Sequence, residues 1–406
     1  MTYDVDAIRS HFPALHEGAA HFDGPGGTQT PDVVAAAVAD TLTSAIANRG
    51  SVTAAERRAE EVVAQCRSAL RDLLGADPRA VVFGRSATQL TYDLSRALAK
   101  AWGPGDEVVV SRLDHDSNIR PWVQAAESAG ATVRWVDFDP GSGTQLEEHF
   151  EPVLSERTRL VAMTAASNLI GTRPPVRAVS HRVHDLGALL WVDGVHATAH
   201  DSVDIIGLGA DFWTCSPYKL LGPHCGVVAA ASPEHLERLH PDKLLPSTDA
   251  VPERFELGTL PYELMAGTTA AIDFIAGLVG PGEPNASRRE RILSSYAALH
   301  EHETVLVERL ERGLRALPGV RVYSNAEKRT PTLLFTIEGM DSQDVAASLA
   351  QRQVNAPASS FYAIECSRHL GLGDAGGVRV GLAPYTDDRD VDRLLTALAA
   401  LTEPSG

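Results

Sequence analysis

Three observations predict an α/β fold with a mostly parallel sheet, joined to a smaller α+β unit. Short apolar runs alternate with amphipathic stretches from about residue 30 to 265. The runs are near-continuously apolar, as strands covered on both faces are. A Gly/Pro-rich stretch, GLVGPGEPNAS at 277–287, then marks a change of pattern. Strand–helix alternation of this kind is how parallel sheets with crossover helices are written in sequence.

The elements follow in order. VVAAAVADTLTSAI (33–46) and AEEVVAQCRSALRDLLG (59–75) carry helical spacing, and the second closes on a glycine. AVVFG (80–84) reads as a strand and QLTYDLSRALAKAW (89–102) as a helix. EVVVS (107–111), TVRWVDF (132–138), RLVAMTAAS (159–167), LLWVDG (189–194), DFWTCS (211–216) and CGVVAAAS (225–232) are further strands, so a sheet of the seven-stranded type is expected. IRPWVQAAESAG (119–130) and VRAVSHRVHDLG (176–187) supply helices between them. After the Gly/Pro-rich stretch comes a long helix over 288–316, strands at 320–324, 332–337 and 378–382, and helices near 341–352 and 387–401. FYAIECSRHLGL (361–372) also has amphipathic helical spacing. The expected division is a large unit over 15–270 and a small unit made of 1–14 and 271–406.

Charge narrows the partners. Asp and Glu exceed Lys and Arg by 53 to 36, and the net charge of −17 argues against a nucleic-acid binder, which would show a basic face. It argues, more weakly, against an anionic membrane surface. No apolar run approaches the roughly 18 residues of a membrane span. The N-terminus has acidic residues and no apolar core, unlike a signal peptide. Cys66, Cys215, Cys225 and Cys366 form no C-x-x-C pair and no zinc spacing, so no metal is expected. Sparse, dispersed cysteines fit a reducing cytoplasm.

Only four lysines occur: Lys100, Lys219, Lys243 and Lys328. Codon bias accounts for the scarcity, but it leaves few candidates for amine chemistry. Lys219 lies in DFWTCSPYKLLGPHCGVVAA, on a tight turn between two strands, flanked by aromatic, apolar and Gly/Pro residues. Strand ends of α/β sheets are where ligands bind. A poorly solvated amine has a lowered pKa and becomes a usable nucleophile. The bland alternative is a lysine that caps a helix or pairs at the surface.

Asp193 ends the apolar strand of LLWVDGVHATAH, with His196 three residues on. A buried carboxylate there needs a cationic or hydrogen-bonded partner. A helix cap or metal ligand would also explain it, though His196 alone is too small a ligand set. Lysine plus buried carboxylate is what pyridoxal 5'-phosphate (PLP) chemistry needs: one holds the aldehyde as a Schiff base, the other keeps the pyridine nitrogen protonated. GRSATQL (84–90) joins a strand to a helix, and the small residues at the helix N-terminus favour an anion such as phosphate. Many helices start this way as simple caps. No G-x-G-x-x-G follows a strand and no P-loop is present.

In combination and order these residues resemble the class V aminotransferase group of fold-type I PLP enzymes, in its cysteine desulfurase and selenocysteine lyase branch. The resemblance runs from HFDGPGGTQTP (21–31) to VRVGLAPYTDDRDVDRLL (378–395). It implies Lys219 as the Schiff-base lysine, Asp193 on the pyridine nitrogen and His196, in D-G-x-H, at the ring hydroxyl. His115, in LDHDSNIRPW, looks like the histidine that stacks on the ring and takes part in proton transfer. Asn168, in ASNLIGT, matches an asparagine near the ring hydroxyl and the substrate carboxylate. Ala87, Thr88 and Ser216 match phosphate contacts. Thr259, in RFELGTLP, looks like a phosphate contact supplied by a neighbouring subunit, implying a homodimer with shared sites. Arg379, in GGVRVGL, matches the arginine that clamps the α-carboxylate of a small amino-acid substrate. Its alternative is an ion pair with the acidic run at 387–392, and those for His115 and Asn168 are plain turn residues.

Two departures stand out. Tyr218 precedes the lysine where the desulfurase pattern commonly has histidine. In VNAPASSFYAIECSRHLGLGDAGGVR the persulfide-forming cysteine is missing, and its best-matched positions lie around Ser359 and Ser360. Cys366 is nearby, but on a stretch that reads as helix, where a cysteine is more often packed than mobile. Cys215 and Cys225 read as packing residues. The expected function is a PLP-dependent enzyme acting on an amino acid, foremost a cysteine desulfurase-like C–S lyase. An aminotransferase, an epimerase, a carbon–carbon bond-forming lyase and a non-catalytic PLP-fold protein are the alternatives. The substrate side chain would meet loops around 24–30, 48–53 and 355–363 and the partner subunit; Arg49, in NRGS, is a candidate contact there, with an exposed surface arginine as its default reading.

Overall fold

A computed structural model describes residues 3–280, 282 and 285–402. Pro281, Glu283 and Pro284 of the Gly/Pro-rich stretch, and both extreme termini, lie outside those residues. The large sheet has seven strands in the order Val81–Gly84, Gly226–Ala230, Phe212–Cys215, Leu189–Asp193, Thr158–Thr164, Glu107–Ser111 and Thr132–Val136. All neighbours are parallel except Gly226–Ala230, which runs antiparallel to both of its neighbours. Strands such as Gly226–Ala230 and Glu107–Ser111 are buried at every position, which explains their unbroken apolar runs.

Helices cover both faces. Ala54–Leu74 begins with a Thr53/Glu56 capping box and ends at Gly75 in the left-handed conformation. Its buried stripe of Ala59, Val63, Cys66, Leu70, Leu73 and Leu74 faces the core. Each leucine there contributes about 1.5–3 kcal/mol by leaving water. A helix absent from the sequence reading, Tyr262–Ala276, packs on Asp32–Thr43 and Ala54–Leu74. Small and apolar residues surround it on most sides, so it lacks the one-sided stripe that marks a surface helix.

The smaller sheet has four antiparallel strands in the order Ala358–Ser359, Gly377–Gly381, Thr332–Ile337 and Val320–Val322. The long helix Arg288–Ala316, capped by Ser287 and Glu290, spans both cores. Its Ile292, Tyr296 and Leu299 pack with the large-sheet core, and its Leu306, Leu310 and Leu314 with the small one. The N-terminal segment crosses the other way. Ile8 and Phe12 join the large-sheet core beside Tyr385, whereas Ala20 and Phe22 join the small core, where Ala20–His21 pairs with Val354–Asn355.

One expected helix is shorter than its sequence pattern. Only Ile364–His369 of FYAIECSRHLGL is helical, because Phe361 and Tyr362 are left-handed, with φ of 51° and 58°. Bulky residues rarely adopt that conformation, and its strain concentrates at functional sites. The charged groups of the C-terminal acidic run are occupied locally: Arg9 pairs with Asp387 and Asp390, and Arg309 with Asp388 and Asp392.

Candidate active site

The carboxyl ends of the central strands open onto one cavity of about 500 Å³. Ligands of open α/β sheets bind at this edge. Lys219 reaches it from the single 3₁₀ turn Pro217–Lys219, which follows the strand Phe212–Cys215. Its side chain is walled by protein, with the residue 7% exposed. Burial, and then the charge of Arg379, hold the amine down to about 8, while Asp193 and Asp23 pull the other way. Of the other three lysines, Lys100 pairs with Asp242 and Lys243 with Asp249, and Lys328 does not line this cavity.

Asp193 stands at the last position of its strand, buried. Its Oδ1 accepts the Val195 N–H at 2.9 Å and the Thr214 hydroxyl at 3.4 Å. Burial raises its pKa against the opposing pull of the Val195 N–H and Lys219. Residue 194 is glycine because the Trp213 indole packs against it: a Cβ there would lie 2.0 Å from that ring. His196 follows, its Nε2 between the Thr330 and Thr332 hydroxyls at 2.9 and 3.0 Å. Its Nδ1 is buried with no partner, and the residue lines the cavity.

Ala87 and Thr88 form the first turn of the helix Ala87–Ala99, with Ser86 as its cap. That helix start lies against Gly226, where a Cβ would be 2.1 Å from the Ser86 carbonyl carbon. Glycine on the neighbouring strand is therefore what lets the free N–H groups reach the cavity wall. Ser216 lines the same wall.

His115 precedes the turn Asp116–Asn118, and its Nδ1 accepts the Ser117 N–H at 3.0 Å. That contact puts the ring proton on Nε2. Burial and the charges of Lys219 and Arg379 lower its pKa to about 3, so the ring is neutral at physiological pH. The ring stacks on Tyr362, with centroids 5.5 Å apart and 27° between planes. Asn168 donates from Nδ2 to the Phe361 carbonyl at 3.0 Å, and its Oδ1 is buried without a partner.

A second, open cavity of about 1270 Å³ continues from Lys219 towards solvent, with Arg379, Asp23, Tyr218 and Phe361 among its walls. Arg379 lies on the strand Gly377–Gly381 and pairs with Asp23, not with the acidic run at 387–392. Of the three loops expected around the substrate, those near 24–30 and 355–363 line this cavity. Arg49, from 48–53, is instead paired with Glu60 and Glu253. Thr259 is exposed on a loop and lines neither cavity.

All four cysteines are buried and unpaired. Burial pushes the Cys225 thiol up to about 12, and those of Cys66, Cys215 and Cys366 higher still. None has the exposure or thiolate character of a nucleophile. Ser359 and Tyr362, not a cysteine, edge the open cavity, and Tyr362 is 75% exposed. Sequence reasoning overlooked Asp23, Phe361 and Tyr362. Asp23 lay inside a quoted motif, but nothing local marks its partner, 356 residues away.

This geometry agrees with comparisons to known proteins. The family model for aminotransferase class V matches residues 20–394. The chain belongs to that family. It is a PLP-dependent enzyme of the cysteine desulfurase-like branch. An uncharacterised protein of Mycobacterium tuberculosis is 34% identical over 99% of this chain and all of its own length. A probable cysteine desulfurase of Pseudomonas aeruginosa is 30% identical over 96% of both chains. A cysteine desulfurase structure from Thermococcus onnurineus shares the fold, with a TM-score of 0.87 over 98% of both chains at 24% identity. Among the described residues, no helix is long and apolar enough to cross a membrane and no side-chain group could hold a metal ion.

Proposed function

We propose that the class V site binds PLP at the sheet edge and acts as a C–S lyase on a cysteine-like amino acid, releasing the sulfur as a small molecule. The observation that carries the cofactor assignment is the convergence of a buried lysine, a buried carboxylate and a helix N-terminus on one cavity. The orphaned His196 Nδ1 and Asn168 Oδ1 fit a ligand bearing a ring hydroxyl. Bound PLP supplies a carbonyl for the amine and a ring that accepts electrons from the substrate Cα.

The residues divide the remaining work. Ala87, Thr88 and Ser216 receive the phosphate, and the helix dipole favours its charge. Asp193 would stand against the pyridine nitrogen and hold a proton on it. His115 covers the ring as a neutral imidazole. Lys219 would carry the linkage, and its low-pKa Nζ is the group placed to take a proton from the substrate Cα. Arg379 and Asn168 hold the substrate carboxylate, the guanidinium fork matching its two oxygens. Thr259 reaches the phosphate of a second subunit in a homodimer. The exposed Leu244, Leu245 and Leu257 nearby in sequence are apolar enough for such an interface. A cytoplasmic location fits the four free thiols.

Release of a free sulfur product follows from the thiols. Cys366 sits in a core cluster with Leu113, Phe138 and Ile170, out of reach of a substrate. The same observation supports a second reading, an aminotransferase, epimerase or carbon–carbon lyase that needs no thiol. Product analysis separates them. With cysteine as substrate the holoenzyme is expected to consume one water and yield pyruvate, ammonia and sulfide in equal amounts, at a rate unchanged within about twofold by Cys366→Ser. Keto-acid formation that depends on an amino acceptor would replace this reading with transamination. Loss of turnover on Cys366→Ser in a folded variant would restore a thiol relay.

A further inference from the structure

We propose that Asp23 is a displaceable occupant of the Arg379 clamp: it holds the guanidinium in the free enzyme and yields it to the substrate carboxylate. This rests on the reading of Arg379 as the carboxylate site. The two side chains meet at 2.5 Å, Arg379 Nη2 to Asp23 Oδ1. Nη1 donates to the Asn168 carbonyl at 3.1 Å, and the Phe361 ring covers the guanidinium face with its centroid 3.7 Å from Cζ. Nε is buried with no partner.

A guanidinium this enclosed needs an anion. Among the described residues, Asp23 is the one carboxylate ion-paired with it. The pair is lopsided. The Arg379 side chain is 2% exposed and that of Asp23 is 43% exposed. The Asp23 main chain is fixed, its carbonyl accepting the Gly26 and Gly27 N–H groups at 2.9 and 3.0 Å. Its carboxylate folds over Gly26, where a Cβ would lie 2.4 Å from Oδ2. Rotation about the side chain alone therefore carries the carboxylate from Arg379 towards solvent.

Asp23, Arg379 and Lys219 line the same open cavity. A substrate carboxylate arriving on Arg379 meets the negative charge of Asp23. Two carboxylates on one guanidinium repel, and the exposed one gives way. Binding through a carboxylate alone is thereby weakened. An amino acid recovers the loss through its amine at the cofactor, whereas a simple carboxylic acid cannot. Asp23 thus acts as a positioning residue, working through Arg379 to select against ligands that lack the amine.

The test is calorimetric titration of the holoenzyme with propionate, which has no amine. Asp23→Asn is expected to bind propionate about tenfold tighter than the parent, and Arg379→Gln to remove that gain in the double variant. Asp23→Ser, which cannot rebuild the contact, is expected to gain as much. Unchanged or weaker propionate binding in both Asp23 variants, with melting temperatures near the parent's, would overturn the proposal. So would a gain that persists in Asp23→Asn/Arg379→Gln, which would show a general charge effect. Parent-like propionate binding in Arg379→Gln alone would instead remove Arg379 as the carboxylate site, a separate outcome.

Discussion

Substitution of Lys219 by alanine is expected to abolish the long-wavelength absorbance that PLP acquires on linkage to a protein amine, and to lower turnover by on the order of 10⁴-fold. The expectation comes from where the lysine stands. Its turn follows a central strand and opens onto the cavity that also holds Asp193 and the helix start at Ala87. Burial lowers its pKa to about 8, so an appreciable neutral fraction is present near pH 7.5, far above that of an ordinary lysine. Alanine removes both the linkage and the base. Removing a buried amine deletes a desolvated cation, so the fold is expected to survive, and melting temperature checks this. An unchanged absorbance spectrum in Lys219→Ala would refute the assignment.

The second large effect is expected at Asp193. Asn has the same shape, accepts the Val195 N–H and cannot carry negative charge. Asp193→Asn should therefore lower kcat by about 10²–10³-fold while KM for the amino acid changes little, because its proposed partner is the ring nitrogen and not the substrate. The sign follows from the site. Burial raises the Asp193 pKa, so the carboxylate is costly to keep ionised on its own, and a protonated ring nitrogen would repay that cost. A kcat within about threefold of the parent, with cofactor retained, would show that the ring nitrogen needs no anionic partner here.

The parts of the site that the sequence made legible share one property: they follow strands. Asp193, Lys219 and Ala87 each lie at or just beyond the carboxyl end of an apolar run, so their position marked them, whereas His115 was marked by the family resemblance alone. The long helix Arg288–Ala316 and the strand Thr332–Ile337 were likewise plain, since one is amphipathic and the other uniformly apolar. What was hidden is non-local. Asp23 and Arg379 meet only because the N-terminal segment crosses onto the edge of Gly377–Gly381, with Asp23 bridged to Gly381.

The left-handed pair Phe361–Tyr362 was hidden for another reason. Its residues prefer other conformations, and contacts impose this one. Asn168 donates to the Phe361 carbonyl, and the Asp116 N–H donates to that of Tyr362 at 2.7 Å. Glu365 then ties the following helix to Arg112 and Arg120. In sequence, residues 361–372 carry only helical spacing. In place of a mobile thiol, the chain has a fixed aromatic turn that touches Arg379 on one side and His115 on the other.

The most direct measurement is borohydride reduction of the PLP-loaded enzyme, followed by peptide mapping. With only Lys100, Lys219, Lys243 and Lys328 available, the answer is unambiguous. One phosphopyridoxyl group per chain is expected, on the peptide carrying Lys219. Stoichiometric modification of any of the other three, with Lys219 untouched, would contradict that assignment.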